Sequence, residues 1–265
     1  MNGIVGYEKA GFGVGLRELK LDDGLDVKKY KAVVREDNGK VLGIVGNNYK
    51  IVPHTQVLDA FNAVTMLEPK RVEVCKDGGV MFARYDIKVA GQLKMAEVKV
   101  GDAVSFGLRV FNSYDKSFGV GFELVANRLV CSNGLVMPKT MARLSLRHFD
   151  NVNIDRFSSL IHGRMEKIEP TVEKWREWMR IHPRKSVIES FVKGIRKENL
   201  GAEIREQLLE RSLKANEEMG VWGIYNEFTH YTTHELKVRN VANRELLTRG
   251  KESALLGRFY TFNWN

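Results

Sequence analysis

Apolar residues recur at every second position through most of the first 150 residues and at helical spacing after that. In "YKAVVREDNGKVLGIVG" β-branched residues flank Asp37-Asn38-Gly39, residue types that tolerate positive φ, and this predicts a hairpin. A second hairpin is predicted around Asp77-Gly78-Gly79, where Val72 and Val74, then Val80 and Phe82, alternate with their neighbours. The longest is "DAVSFGLRVFNSYDKSFGVGFELVANRLVC", with its turn at Asn112 to Lys116. There Phe106, Leu108 and Val110 alternate with Gly107, Arg109 and Phe111, so Arg109 points away from the Phe106 face. Between the first two hairpins, "NNYKIVPHTQVLDAFNAVTML" turns into a helix near 54–66. Thr55 is its expected N-cap, and Val57, Leu58, Phe61 and Val64 form its apolar stripe. Antiparallel hairpins in series predict one curved antiparallel sheet rather than a parallel doubly wound one.

From residue 151 the period is helical, interrupted at Pro170 and Pro183, which lack an amide donor and favour helix starts. Further helices fit 201–218 and 241–259, with the aromatic-rich stretch "GVWGIYNEFTHYTTHEL" between them. The expected class is α+β: antiparallel hairpins in 1–150 forming a curved sheet, packed against a helical part in 151–265. No repeat, low-complexity tract or linker divides the 265 residues, so the two parts are expected to pack as one unit.

A hydrophobic content of 43% supports a substantial core. No apolar run approaches the roughly 18–20 residues that span a bilayer. "MNGIVGYEKAGFGVG" has no basic patch followed by an apolar segment, so no signal peptide is read, and the expected location is the cytoplasm of the host cell, away from membranes. Cys75 and Cys131 form no CxxC pair, which argues against a thiolate zinc site. The net charge of +9 favours anionic partners, nucleic acid first. It is concentrated in "KTMARLSLRH" at 139–148, which has no acid, and from Lys237 onward, where six basic residues face two acids.

Four stretches carry candidate chemistry. "GFGVG" at 11–15 has no strand before it and no lysine-serine or lysine-threonine pair after it, so it reads as an edge segment rather than a phosphate loop. In "NRLVCSNGLVMP", Leu129-Val130 reads as strand and Ser132-Asn133-Gly134 as turn. A nucleophilic Cys131 would need a base such as His54 or His148 beside it; the alternative is a small hydrophobe at the end of a buried strand. On a helix, Glu227, His230 and His234 of "EFTHYTTH" share one face at a spacing that lets imidazoles share a divalent metal, although the pattern is not HExxH. The alternative is an aromatic amphipathic helix packed through Trp222, Tyr225, Phe228 and Tyr231. Finally, cations that track phosphates and aromatics that stack on bases hold single-stranded nucleic acid. The candidates are Arg109 on the long hairpin, Lys139, Arg143, Arg147 and His148 after the strand-turn, and Arg244, Arg249, Lys251 and Arg258 on the last helix.

Taken in order, "NNYKIVPHTQVLDAF", "RLVCSNGL" followed by "LSLRH", and "GIYNEFTHYTTH" resemble the phage- and plasmid-associated domain-of-unknown-function family 932. The matching positions are Arg128, Val130, Cys131 and Asn133 in the strand-turn and the Arg147-His148 step. The late run 222–234 also matches, though Phe228 stands where the family often has an acid or tyrosine. The resemblance implies no established activity; the family's setting in mobile elements implies DNA replication or recombination. The order of hairpins then helices is similar to single-strand annealing proteins of the Redβ/Erf type, an analogy of architecture. Three readings follow. The first is a homo-oligomeric protein that binds single-stranded DNA and anneals it without catalytic residues. The second is a metal-dependent enzyme acting on nucleic acid. The third is a virus or plasmid protein that acts on a host partner.

Overall fold

The computed structural model describes residues 6–89, 92–128, 133–136, 143–148, 155–196, 198–236 and 244–265. Three strands, β1 (Val14–Lys20), β2 (Asp26–Arg35) and β3 (Val41–Gly46), form a small antiparallel sheet in the order β1-β2-β3. Helix α1 (His54–Thr65) follows, then β4 (Arg71–Cys75) and β5 (Val80–Asp86). A two-residue ribbon, β6 (Lys88–Val89) and β7 (Gln92–Leu93), leads to β8 (Met95–Lys99). The long pair β9 (Asp102–Ser113) and β10 (Val120–Arg128) comes next, then β11 (Asn133–Val136) and β12 (Arg143–Leu146). The larger sheet has seven strands and every pairing in it is antiparallel. Its path is β11-β10-β9-β5-β4, with β12 also on β10 and β8 also on β9. The helices are α2 (Asp155–Met165), α3 (Ile168–Trp178), α4 (Lys185–Lys193), α5 (Ala202–His230) and α6 (Arg244–Leu256). The α+β class read from the sequence is the class observed.

Strand β9 is covered on both faces, because Val104 through Ser113 are all buried. Its even-numbered side chains face the helices: Phe106 stacks parallel to Trp175 of α3 at 6.4 Å, and Trp175 meets Trp222 of α5 at 5.3 Å. Phe61 of α1 sits edge-on to Phe122 of β10 at 5.8 Å. One hydrophobic cluster therefore runs from Val72 in the sheet to Trp264 near the end of the chain. Each fully buried large side chain contributes about 1.5–3 kcal/mol. A second cluster of Val33, Leu42, Val45, Tyr49 and Tyr114 joins the small sheet to the large one. Gly43 is required at that seam, since a Cβ there would lie 2.7 Å from the Tyr114 carbonyl oxygen.

Two local expectations are corrected. Thr55 is not the cap of α1. Pro53 precedes the helix with no side-chain cap, and the buried Tyr114 hydroxyl accepts the orphan His54 N–H at 2.8 Å. The corner after β10 is not Ser132-Asn133-Gly134. Asn133 and Gly134 lie in β11 and pair with Arg128 and Asn127. Leu129, Val130, Cys131 and Ser132 lie outside the described residues, and with them the question put to the Cys131 thiol. The "GFGVG" segment runs into strand β1 rather than a helix, so no helix amides stand behind it.

Helix α5 reverses at Gly220, whose φ of 56° and ψ of −147° belong to glycine alone. The arms meet closely: a Cβ on Gly223 would lie 2.4 Å from the Ala215 carbonyl oxygen, and Arg211 of the first arm bonds Glu227 of the second at 2.6 Å. A side chain at 220 would also press on the carbonyls of Ile181 at 2.4 Å and Trp178 at 2.7 Å. Gly220→Ala is expected to lower stability by about 3 kcal/mol or more in urea unfolding. Gly163→Ala, inside α2 with nothing within 4 Å of the added methyl, is expected to raise it by about 0.5–1 kcal/mol. Equal midpoints for the two variants would refute the reversal at 220.

Candidate functional site

The expected phosphate-binding residues divide into cations consumed by the fold and cations left at the surface. Arg109 does point away from the Phe106 face, yet it is only 5% exposed and is not a surface group at a hairpin tip. Its Nη1 bonds Glu123 of β10 at 3.0 Å, and both Nη atoms lie 3.4 Å from Glu252 of α6. The reason is that α6 closes over this side of the sheet. The guanidinium serves as the counter-ion for two partly or fully buried carboxylates, an arrangement that collapses if one partner is removed.

His148 is buried as well. Its ring stacks on Tyr49 at 4.9 Å, its Nδ1–H donates to the Lys50 carbonyl at 3.3 Å, and its carbonyl accepts from Lys50 N–H. His54, the other imidazole considered as a base, is fully buried beneath Tyr114, with ring centroids 4.1 Å apart. Asn112 Nδ2 donates to His54 Nδ1 at 3.0 Å, so Nε2 carries the proton and donates to the Gly78 carbonyl at 2.9 Å. Asn112 also donates to the Val52 carbonyl. Burial first of all, with the nearby His148, pushes the His54 pKa down to about 3, against the pull of the Gly78 carbonyl. Burial likewise lowers His148, opposed by the Lys50 carbonyl. These motif residues weld the start of α1 to the seam between the sheets as neutral, hydrogen-bonded groups.

Arg147 is exposed, one residue before His148. Lys251 is half-buried on α6, and Arg258 follows α6 in the short 3-10 turn Gly257–Tyr260. Arg244 and Arg249 lie on α6 and Arg143 on β12, where its backbone pairs with Glu123. Lys139 lies outside the described residues. The late helix brings the His230 and His234 rings to 4.8 Å, but Glu227 is held by Arg211, and Glu235 is the carboxylate nearest His230, at 3.3 Å. Among the described residues no group of three or more His, Cys, Asp or Glu side chains is arranged to hold a metal ion.

The open face of the small sheet was not among the sequence candidates. Register places Arg17, Ala32 and Ile44 side by side across β1, β2 and β3, and Tyr30 opposite Gly46. Tyr30 and Lys28 lie two and four residues from Ala32 on β2 and so share that face. Tyr30 is 48% and Ile44 50% exposed, Arg17 and Lys28 are exposed, and neither cation has an ion-pair partner among the described residues. Nothing crowds the space over Gly46 beside the tyrosine. The signal was present in "DVKKYKAVVR", three lysines around a tyrosine on a strand, but none of the four stretches weighed for chemistry includes it.

An α+β protein with a buried polar seam and a basic, aromatic open face is the class that the coordinates define. The chain belongs to the family described as a domain of unknown function, DUF932, whose model matches residues 41–251. No curated protein and no solved structure matches it. The match starts at β3, so the seam residues Tyr49, His54, Asn112 and His148 fall inside it, while Arg17, Lys28 and Tyr30 fall before it. Among the described residues no helix is long and apolar enough to cross a membrane.

The neutral His54 sets a pH dependence. Unfolded, it takes a proton below its ordinary value near 6.5; folded, it does so only near pH 3. Its stabilising contribution is therefore complete above pH 6.5 and declines as pH falls toward 3. Between pH 7 and pH 5 urea unfolding is expected to show a loss of about 2 kcal/mol from His54 alone, with His148 adding in the same direction. A flat stability profile across that range would show that His54 is protonated in the folded protein.

Proposed function

We propose that the protein binds single-stranded nucleic acid, DNA in the first instance, on the open face of its small sheet. The observation that carries this reading is the exposed Tyr30 on one face of the small sheet with exposed Arg17 and Lys28, neither of which has an ion-pair partner among the described residues. Bases of any sequence can stack on a tyrosine ring, and the flanking cations neutralise the phosphates of the same strand. Exposed Arg147 and the overall charge of +9 add long-range attraction. A protein that screens phosphates in this way promotes annealing without catalytic groups. The mobile-element setting of the family resemblance makes replication or recombination in the host cytoplasm the fitting role. Exposed Leu21, Leu25 and Val41 on and beside the same sheet suit self-association into a homo-oligomer.

Titration of a fluorescent oligothymidylate tests the reading. Binding is expected to weaken steeply with salt. Tyr30→Ala is expected to reduce affinity about 5- to 100-fold, one stacking contact. Arg17→Gln and Lys28→Gln are each expected to flatten the logarithmic salt slope by about 0.7. All three positions are exposed, so folding is preserved. Absence of binding at about 50 mM salt, where phosphate contacts are strong, overturns the proposal.

A further inference from the structure

A second basic feature lies in the helical part. An open cleft of about 390 Å³ is lined by Gly194, Ile195, Arg196 and Asn199 after α4, and by Ala254, Gly257, Arg258 and Thr261 at the end of α6. That volume falls within the roughly 300–1,000 Å³ of small-molecule sites. Arg258 is fixed within it. Its guanidinium carbon sits 5.5 Å from the Phe191 ring centroid and 5.4 Å from that of Phe262. Its Nε is buried without a hydrogen-bond partner. It lies so close to the backbone that a Cβ on Gly194 would be 2.1 Å from Nη2. Gly194 has an ordinary helical φ of −74°, so glycine is needed there for the room it leaves the guanidinium and not for backbone freedom. Arg196 is exposed, and neither arginine has an ion-pair partner among the described residues.

The C-terminal end of a helix ordinarily repels anions, because its carbonyls point outward. Here Arg205 removes that obstacle. Nη1 donates to the carbonyls of Val192 at 3.3 Å and Lys193 at 3.0 Å, and Nη2 to those of Ile195 at 2.9 Å and Leu200 at 3.2 Å. The loop is thereby held rigid, and its carbonyl charge is compensated by a cation that does not line the cleft. The polar side chains among the lining residues are then Arg196, Arg258, Asn199 and Thr261, whose hydroxyl donates to the Arg258 carbonyl at 3.2 Å. Glu198, on the same loop, is not among the lining residues.

We infer that this cleft binds a phosphate group, with Arg258 as a preorganised fork and Arg196 as its mobile companion. A planar guanidinium held against an edge-to-face pair of rings pays little entropy on forming paired hydrogen bonds to a tetrahedral anion. The inference goes beyond the sheet-face reading, because a free nucleotide and a strand's phosphodiester offer the same group.

Calorimetric titration of the full chain with inorganic phosphate and thymidine monophosphate, beside the oligothymidylate titration, tests it. Arg258→Gln and Arg196→Gln are expected to weaken phosphate and nucleotide binding, the former about tenfold or more. Gly194→Ala keeps both arginines and displaces one, and is expected to weaken binding as Arg258→Gln does. Arg258→Lys, which keeps charge but loses the fork, is expected to fall between wild type and Arg258→Gln. If the two glutamine variants also flatten the oligonucleotide salt slope by about 0.7 each, the phosphate belongs to a strand. If only nucleotide binding changes, the ligand is a free nucleotide. Unchanged binding of phosphate, nucleotide and strand in all four variants overturns the inference while leaving the sheet face standing. A wild-type protein that binds none of the three overturns both this inference and the sheet-face proposal. Arg196 is exposed, so its variant reports on the site even if substitution at Arg258 perturbs folding.

Discussion

The buried carboxylate of Asp102 is the point on which the two halves of the molecule depend. It opens β9, is 4% exposed, and would be costly to keep ionised without compensation. Arg128, at the far end of β10, meets it with Nε and with Nη2 at 2.8 Å, and Trp222 of α5 donates its indole N–H to the second oxygen at 2.9 Å. One side chain thus fixes the register of the central strand pair and the seat of the second arm of α5. That arm is itself aimed by the reversal at Gly220. Breaking a buried pair of this kind costs about 3–5 kcal/mol, because the surviving charge has nowhere to go. Arg128 belongs to the family-like strand-turn, and the structure gives that arginine a structural task.

The Arg109 network does the same on the opposite face of the sheet, where it ties α6 to β9 and β10. The His54 seam does so at the small sheet, with neutral groups in place of charges. The polar residues that made the motifs conspicuous are thus largely interior. Polar groups in a core must be matched atom for atom. A few fixed residue types at fixed spacing are what such matching leaves in a sequence, and it is the same signature that a catalytic site leaves. Spacing alone could not separate the two cases.

Much of the fold was legible. Asp37-Asn38-Gly39 and Asp77-Gly78-Gly79 turn where their residue types allow positive φ, and Gly39, Asp77 and Gly78 adopt it. Period-two alternation identified β9 and β10, Pro170 lies in the first turn of α3, and Pro183 falls just before α4. What was illegible depended on long-range geometry. The capping role expected of Thr55 passes to Tyr114, sixty residues away from His54. The helix that fits the sequence ends at 218, close to Gly220, but nothing local there shows that the next arm folds back on the first. The exposure of Arg109 could not be read from one hairpin, because the helix that covers it lies 143 residues further on at Glu252.

The same geometry changes the meaning of the net charge. A formal +9 counts Arg109, Arg128, Arg205 and Arg211 equally with Arg17 and Lys28, yet the first four are held by buried or half-buried carboxylates and backbone carbonyls. Such cations are already neutralised where they stand, and little of their field reaches solvent. The attraction for an anion comes from the unpaired set. The two sites proposed above draw on that set: the face of the small sheet beside Tyr30, and the open cleft where Arg258 lies against two rings. A flat face suits a strand that must be gripped and released along its length, whereas a cleft suits a single group held in fixed geometry. On the two proposals made above, the sign of the charge favours anions in both places, and the shape around it distinguishes a strand from a single phosphate.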